Sequence, residues 1–340
     1  MDSLTQIVLG AACGEIALGK KIGNKALLFG SIGSTIPDLD IFVGRWLYNN
    51  EIEAMAFHRG FMHSILFAVL GCFLFGWLTY KLYNRGKRKN TTTLTNWIWL
   101  FFLSIFTHPL LDCFTPYGTQ LFAPFSDYRV AFKNISVVDP LYTVPFLICL
   151  IVMMFFKRTK TQRTWWLKTG IYISSFYMVF TIFNKFYIDR VFATSFEKAN
   201  ISYQRFSAQP TILNNILWYA VAETETQYHL AFYSLLDRNN IAKNMITVEK
   251  NHDLIDMNDN NLQTLAWFSN HYYNISKKEK VGNYKYIDLR YPMLNPEDPS
   301  TSVFNFTIFF ENGKWDILPF DGNPPNGEDF EKFIERVKGV

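Results

Sequence analysis

Residues 94–114 read LTNWIWLFFLSIFTHPLLDCF, an apolar run that closes on His108-Pro109-Leu110-Leu111-Asp112. A bilayer crossing needs roughly 20 mainly apolar residues, so this segment is read as a membrane-spanning helix. Ionisable groups at its far end are costly there and mark a functional position. His108 and Asp112 are four apart and share one helical face, where an imidazole and a carboxylate can hold one cation together. Working outward, His63–Tyr83 and Trp165–Tyr187 are of spanning length, and Leu141–Phe156 is shorter but wholly apolar. Two weaker segments rich in Gly and Ala, Leu4–Gly19 and Lys25–Pro37, precede them. They read as short helices packed through small residues, or as a hairpin dipping in from one side.

The expected fold is therefore an α-helical integral membrane domain over residues 1–187, with four clear spans and two short N-terminal helices. A soluble α+β domain with an antiparallel sheet follows over 188–340. Within it, Asn215–Glu223 and Gln227–Leu236 read as a hairpin, and Tyr284–Arg290 and Val303–Phe310 as strands. Asn312-Gly313 is a turn before Trp315–Pro319, and Asn261–Tyr273 and Asp329–Val337 look helical.

Charge sets the expected direction. The net charge is only +4, and much of the basic excess lies in short clusters beside apolar runs. That pattern belongs to membrane edges rather than a nucleic-acid surface, so no nucleic-acid partner is expected. Lys20–Lys25, Arg85–Lys89 and Lys157–Lys168 are the basic connections and should be cytoplasmic. Met1, the 38–62 loop, the 115–140 loop and the C-terminal half then fall outside. The start, MDSLTQ, lacks the basic stretch of a cleavable signal peptide, so Met1 is expected to be the natural beginning. The four cysteines lie in or at the ends of apolar segments with no CxxC spacing, which argues against a disulfide framework or a cysteine–zinc site.

Four motifs put polar and ionisable groups beside apolar spans: Asp2 with Gln6, Asp38-Leu39-Asp40 after Pro37, His58-Arg59-Gly60-Phe61-Met62-His63, and His108 with Asp112. The expected topology brings all of them to the outer face. His58 and His63 are five apart, which suits a loop residue followed by one in a first helical turn, with Gly60 allowing the bend. Asp38 and Asp40 can aim two carboxylates at one ion. Mixed His/Asp ligation suits zinc, iron or manganese better than calcium. His58, His63, His108 and Asp112 are the expected ligands; Asp38 or Asp40 completes the shell or acts as general base. Arg59 or Arg129 is placed to hold an anionic substrate group. Glu15, toward the cytoplasmic end of the first segment, is expected to pair with a nearby lysine. His229, His252 and His271 have no ligand spacing and read as ordinary residues, and the polar half carries no nucleophile elbow or Gly-rich phosphate loop.

The runs MDSLTQIVLGAACGE, IPDLD, HRGFMHS and HPLLDCFTPYGTQLFAPFS occur in that order. Together they resemble the YdjM-like family of inner-membrane proteins, described as metal-dependent hydrolases, over roughly residues 1–185. The resemblance implies that Asp38, Asp40, His58, His63, His108 and Asp112 are the metal-site positions. One departure is Gln6, where family members often carry His; the glutamine carbonyl can still ligate or hydrogen-bond.

The function expected is metal-assisted hydrolysis at the outer face of the inner membrane. A divalent metal ion (zinc, manganese or iron) would activate water, and placement in the lipid bilayer suggests a lipid-linked or phosphoester substrate. The alternative is a non-catalytic sensor or assembly protein with a structural metal staple. Ion transport is disfavoured, because the acidic groups gather at one face and only Glu15 lies along a path across.

Overall fold

The computed structural model describes every residue except 279, 281, 294–301, 303, 320–326 and 340. The chain forms two compact units. One comprises Met1–Val43 with Phe57–Ile182, the other Gly44–Ala56 with Phe183–Val340.

The first unit is helical. Helix α1 (Ser3–Gly14) starts at Asp2, whose carboxylate accepts from the Thr5 amide at 3.0 Å, and runs through a π-helical turn (Glu15–Gly19) into α2 (Lys20–Ile22). Gly23, at φ +61°, reverses the chain into α3 (Asn24–Thr35). Pro37–Leu39 then forms a tight 3₁₀ turn leading into α4 (Asp40–Leu47), whose second half, like α5 (Glu51–Phe57) up to Ala56, belongs to the second unit. Much of the 38–62 segment, expected as a loop, is thus helical. After a 3₁₀ turn at Phe61–His63, α6 covers Ile65–Tyr83, capped by Ser64. Helix α7 (Leu94–Asp112) opens on a Thr93/Asn96 capping box, and α8 (Pro140–Met154) on Asp139. Helix α9 (Thr161–Lys198) is shared between the two units.

Helix α6 is apolar all round but sorted by size. Ala68, Gly71, Cys72 and Gly76 are buried, while Leu70, Phe73, Leu74 and Trp77 are exposed. Small residues facing protein and large ones facing outward is the packing expected when lipid is the solvent. By length and composition α6, α7 and α9 can each cross a membrane, and α3 with the Pro37–Leu47 stretch, bent by 41°, makes a fourth candidate. Helix α8, with 15 residues, is a shorter apolar helix, about 22 Å long. Helices α1 and α3 touch through glycines: a Cβ on Gly30 would meet the Gly10 carbonyl and, at 2.8 Å, the Gly14 backbone.

The second unit holds two antiparallel four-stranded sheets, ordered β1-β2-β3-β4 and β5-β6-β7-β8. The strands of the first are β1 (Arg205–Pro210), β2 (Leu217–Glu223), β3 (Gln227–Ser234) and β4 (Lys243–Glu249). Helix α10 (Asn260–Phe268) precedes β5 (Tyr273–Lys277), β6 (Tyr284–Asp288), β7 (Asn305–Glu311) and β8 (Lys314–Pro319), and α11 (Gly327–Val337) follows. The β2–β3 hairpin and the Asn312-Gly313 turn stand where the sequence puts them. Both turn residues have positive φ, as the tight hairpin requires. Of the β7 expectation, Val303 lies outside the described residues. Helix α10 stops at Phe268 rather than Tyr273, because Asn270 and His271 both adopt positive φ. Of His229, His252 and His271, His229 faces Thr247, and His252 stacks on Tyr273 at 4.0 Å.

Glu223 at the end of β2 accepts from Arg205 at 2.5 Å and from Lys250 at 2.7 Å. Burial pushes this carboxyl up, but the two cations outweigh it and hold it below its ordinary value of 4.5. Its stabilising contribution is therefore complete above that value and is lost as acid titrates it in the folded state. In the full-length protein, hydrogen exchange of the β2 amides, corrected for intrinsic pH dependence, should accelerate on going from pH 6 to pH 3. Glu223→Gln should flatten that dependence; an unchanged profile would refute the assignment.

Candidate metal centre

The donors arrive at one end of the helical unit from three elements. Asp38 lies in the 3₁₀ turn that Pro37 initiates after α3. His63 closes the turn before α6, and His108 and Asp112 occupy the last turns of α7. Asp38, His63 and His108 form the group able to hold a metal ion, each offering one atom within 4.8 Å of the others. The two imidazole Nε2 atoms are 3.1 Å apart. Asp38 Oδ1 is 3.4 Å from each of them. Asp112 Oδ2 lies 3.4 Å from His108 Nε2 and 3.6 Å from His63 Nε2.

Those separations suit donors around one small cation. Ligand bonds of about 2.0–2.1 Å in a tetrahedral shell put neighbouring donors about 3.3–3.4 Å apart. The protonation pattern agrees. His108 Nδ1 stands 2.6 Å from the Ser34 carbonyl oxygen, which can only accept, so a neutral ring donates there and leaves a lone pair on Nε2. His63 Nδ1 is 3.0 Å from Asp40 Oδ2, though off the line of a good hydrogen bond, and the carboxylate favours the proton on that nitrogen. Two lone pairs and two carboxylate oxygens then converge and repel one another unless a positive charge sits among them. Asp112 Oδ2 and Gln6 Oε1 are buried without a hydrogen-bond partner, which is how acceptors reserved for a cation look. The residues present therefore fit a divalent ion.

Asp40 has another use. It is buried; Oδ1 faces His58 Nδ1 at 2.8 Å, while Oδ2 accepts from the Arg59 amide at 2.9 Å. His58 thus pairs with Asp40 instead of joining the group of three. Arg59, expected to reach out to an anion, turns inward. Its Nε is 3.3 Å from Asp112 Oδ2, Nη1 donates to Thr115 Oγ1 at 3.1 Å, and its guanidinium covers Tyr117 at 4.6 Å. The backbone there has φ +62°, an uncommon conformation for a non-glycine residue, held by the bond to Asp40. Arg129 covers the same Tyr117 ring at 5.3 Å and donates to the His58 carbonyl at 3.0 Å.

Gln6 joins the site through Nε2, which donates to Asp112 Oδ1 at 2.9 Å and to the His108 carbonyl at 3.2 Å. The Met1 amino group also bonds to Asp112. Asp2 stays with its own helix, bonded to Thr5. The Ser34 carbonyl, Thr115 and Tyr117 have no signal in the sequence: a backbone oxygen leaves no side-chain signature, and Thr115 and Tyr117 carry no ligand spacing. Glu15 pairs not with a lysine but with Arg163, bidentately, at 2.6 and 2.7 Å.

Residues 1–188 match the YdjM inner membrane protein family. The chain is also 32% identical over 147 residues to YfhP, an uncharacterized protein of Bacillus subtilis (strain 168), a match covering 41% of this chain and 42% of that relative. The chain thus spans less than half the length of the curated relative it matches. No solved structure matches. With more than half its length inside the match, apolar helices of spanning length and its His/Asp motifs gathered at one end, the chain belongs to the YdjM inner membrane protein family.

Proposed function

We propose that this protein is a membrane-bound, metal-dependent hydrolase acting on a phosphoester or ester of an amphiphile at the outer face of the inner membrane. The observation that carries the proposal is the meeting of His63 Nε2 and His108 Nε2 at 3.1 Å with two carboxylate oxygens beside them. A divalent ion bound there supplies an activated water and a Lewis acid for a carbonyl or phosphoryl oxygen.

The chain's own residues divide the remaining work. His108 is held by the Ser34 carbonyl, and His63 Nδ1 lies beside the Asp40 carboxylate, which orients both Nε2 atoms toward the centre. Asp40 also fixes His58 at Nδ1, which leaves Nε2 of a partly exposed ring to accept and return a proton. Arg129, partly exposed over Tyr117, brings positive charge to the rim for an anionic substrate group, while the buried Arg59 balances Asp112. The Asp38 side chain keeps 27% of its surface exposed, so the centre is open on that side; a purely structural site is closed. Phe122, Phe125 and Phe132 are exposed on the loop after α7, and such rings favour an interface with lipid. The outer location is supported by the basic connections Lys20–Lys25, Arg85–Lys89 and Lys157–Lys168, which lie at the opposite ends of the same helices.

The test is turnover of defined phospholipids and of phosphate mono- and diesters by protein reloaded with zinc, manganese or iron. Hydrolysis should cease with chelator, and His58→Gln should slow it about 10²–10⁴-fold while bound metal is kept. Metal-replete protein inert on every substrate would replace this reading with a metal staple.

A further inference from the structure

The other end of the helical unit carries a second feature, independent of the metal centre. A cleft of about 580 Å³ opens between the start of α3 and the connection from α8 to α9, lined by Lys25, Lys157 and Arg158 together with Ile22, Met154 and Phe155. That volume is within the range of small-molecule sites, about 300–1,000 Å³. Among the described residues no carboxylate pairs with Lys20, Lys21, Lys25, Lys157 or Arg158, so the positive charge is uncompensated. The apolar wall is unusual beside so many cations: Phe155 is exposed at the rim, two residues before Lys157.

The cleft is pre-shaped by the buried Glu15–Arg163 pair. Arg163 spends Nε and Nη2 on the Glu15 carboxylate, and its Nη1 reaches Asn24 Oδ1 at 2.7 Å and the Phe156 carbonyl at 3.1 Å. Asn24 Nδ2 in turn donates to the Met154 carbonyl at 3.0 Å. Arg158 reaches across to the Lys21 carbonyl. Both walls are thereby tied to one arginine, four of whose five N–H donors are spent on these bonds. Gly23, at φ +61°, turns the chain between them, and a side chain there would adopt a strained backbone.

We propose that this cleft is a binding site for the phosphate of an anionic phospholipid. Lys25, Lys157 and Arg158 hold the phosphate, and the Ile22, Met154 and Phe155 wall receives the first carbons of the lipid. A basic pocket between membrane helices at the headgroup level is suited to that chemistry. The apolar wall favours a lipid over a free anion, because an inorganic phosphate would leave it unused.

The test is native mass spectrometry of the full-length protein in mild detergent, offered phosphatidylglycerol or phosphatidylcholine. The intact protein should retain phosphatidylglycerol and shed phosphatidylcholine. Lys25→Gln/Lys157→Gln/Arg158→Gln should lower retention about 100-fold, taking roughly fivefold for each cation. Lys87→Gln/Arg88→Gln/Lys89→Gln, which removes as much charge from another connection, should keep it. The milder Lys157→Glu should lower retention more than fivefold with unchanged gel-filtration behaviour, which guards against misfolding of the triple variant. Equal losses in both triple variants would mean diffuse surface charge and overturn the site. Displacement of the lipid by millimolar inorganic phosphate would overturn it in favour of a free-anion site.

Discussion

Protein purified without chelator should carry close to one equivalent of a divalent metal, and His63→Ala/His108→Ala should remove it. These two imidazoles supply the closest donor pair in the centre, 3.1 Å between Nε2 atoms, and both are buried. Losing outer groups that only orient ligands typically lowers metal affinity 10–100-fold, so removing two ligands should exceed about 100-fold. The carboxylates left behind, Asp38 and Asp112, keep Arg59 as counter-charge at 3.3 Å from Asp112, so the variant has a way to stay folded. Asp40→Asn gives the graded comparison: it leaves both ligand nitrogens in place but loosens His58 and His63, and the expected loss is about 10–100-fold. Mass spectrometry of bound metals decides the matter. A double variant that still holds stoichiometric metal, or a parent that stays empty after reloading with zinc, manganese and iron, would refute the centre as assigned.

The features legible in sequence were those with long-range periodicity or fixed local spacing. Leu94–Phe114 announces α7 through its length, and the i, i+4 spacing of His108 and Asp112 announces a shared face; both stand in the structure. Helix α4 reads as loop in the sequence because Ile41–Leu47 is too short to show a period and follows a proline turn. Strands β1, β4 and β5 escaped for related reasons: RFSAQP ends in proline, KNMITVE mixes polar and apolar residues, and YNISK is brief. Their identity comes from partners such as the β1–β2 pairing of Arg205 with Glu223. Within the site, residue type indicated metal chemistry but not who serves whom. Asp38 and Asp40 are equivalent on paper; the 3₁₀ turn at Pro37 separates them, aiming one at the Nε2 pair and the other at His58 and the Arg59 amide. Arg59 looked available for an anion because a sequence does not display Asp112 beside it.

The same substitution at two glycines of the helical unit should have opposite consequences. Replacing a helical Gly with Ala gains about 0.5–1 kcal/mol from reduced backbone freedom, if the methyl group fits. At Gly71 in α6 a Cβ would meet only side chains, Ile105 at 3.4 Å and Phe67 and Phe75 at 3.7 Å, all ordinary contacts, so Gly71→Ala should be neutral or slightly stabilising. At Gly14 in α1 the Cβ would fall on the Ala26 carbonyl and lie 3.0 Å from the Gly30 Cα. Those are backbone atoms of α3, and no rotamer change moves them. Relief requires α1 and α3 to separate, and overpacking of this kind costs about 1–3 kcal/mol, or more where the obstacle cannot yield. A net loss near 2 kcal/mol corresponds to a fall of roughly 4–8 °C in melting temperature for a unit of this size. The separation should also reach the metal centre, because α1 carries Gln6 and α3 carries Ser34 and leads into Asp38. Gly14→Ala should therefore lower both melting temperature and bound metal, with Gly71→Ala leaving both intact. Equal behaviour of the two variants would show that the glycine contact between α1 and α3 does not position the centre.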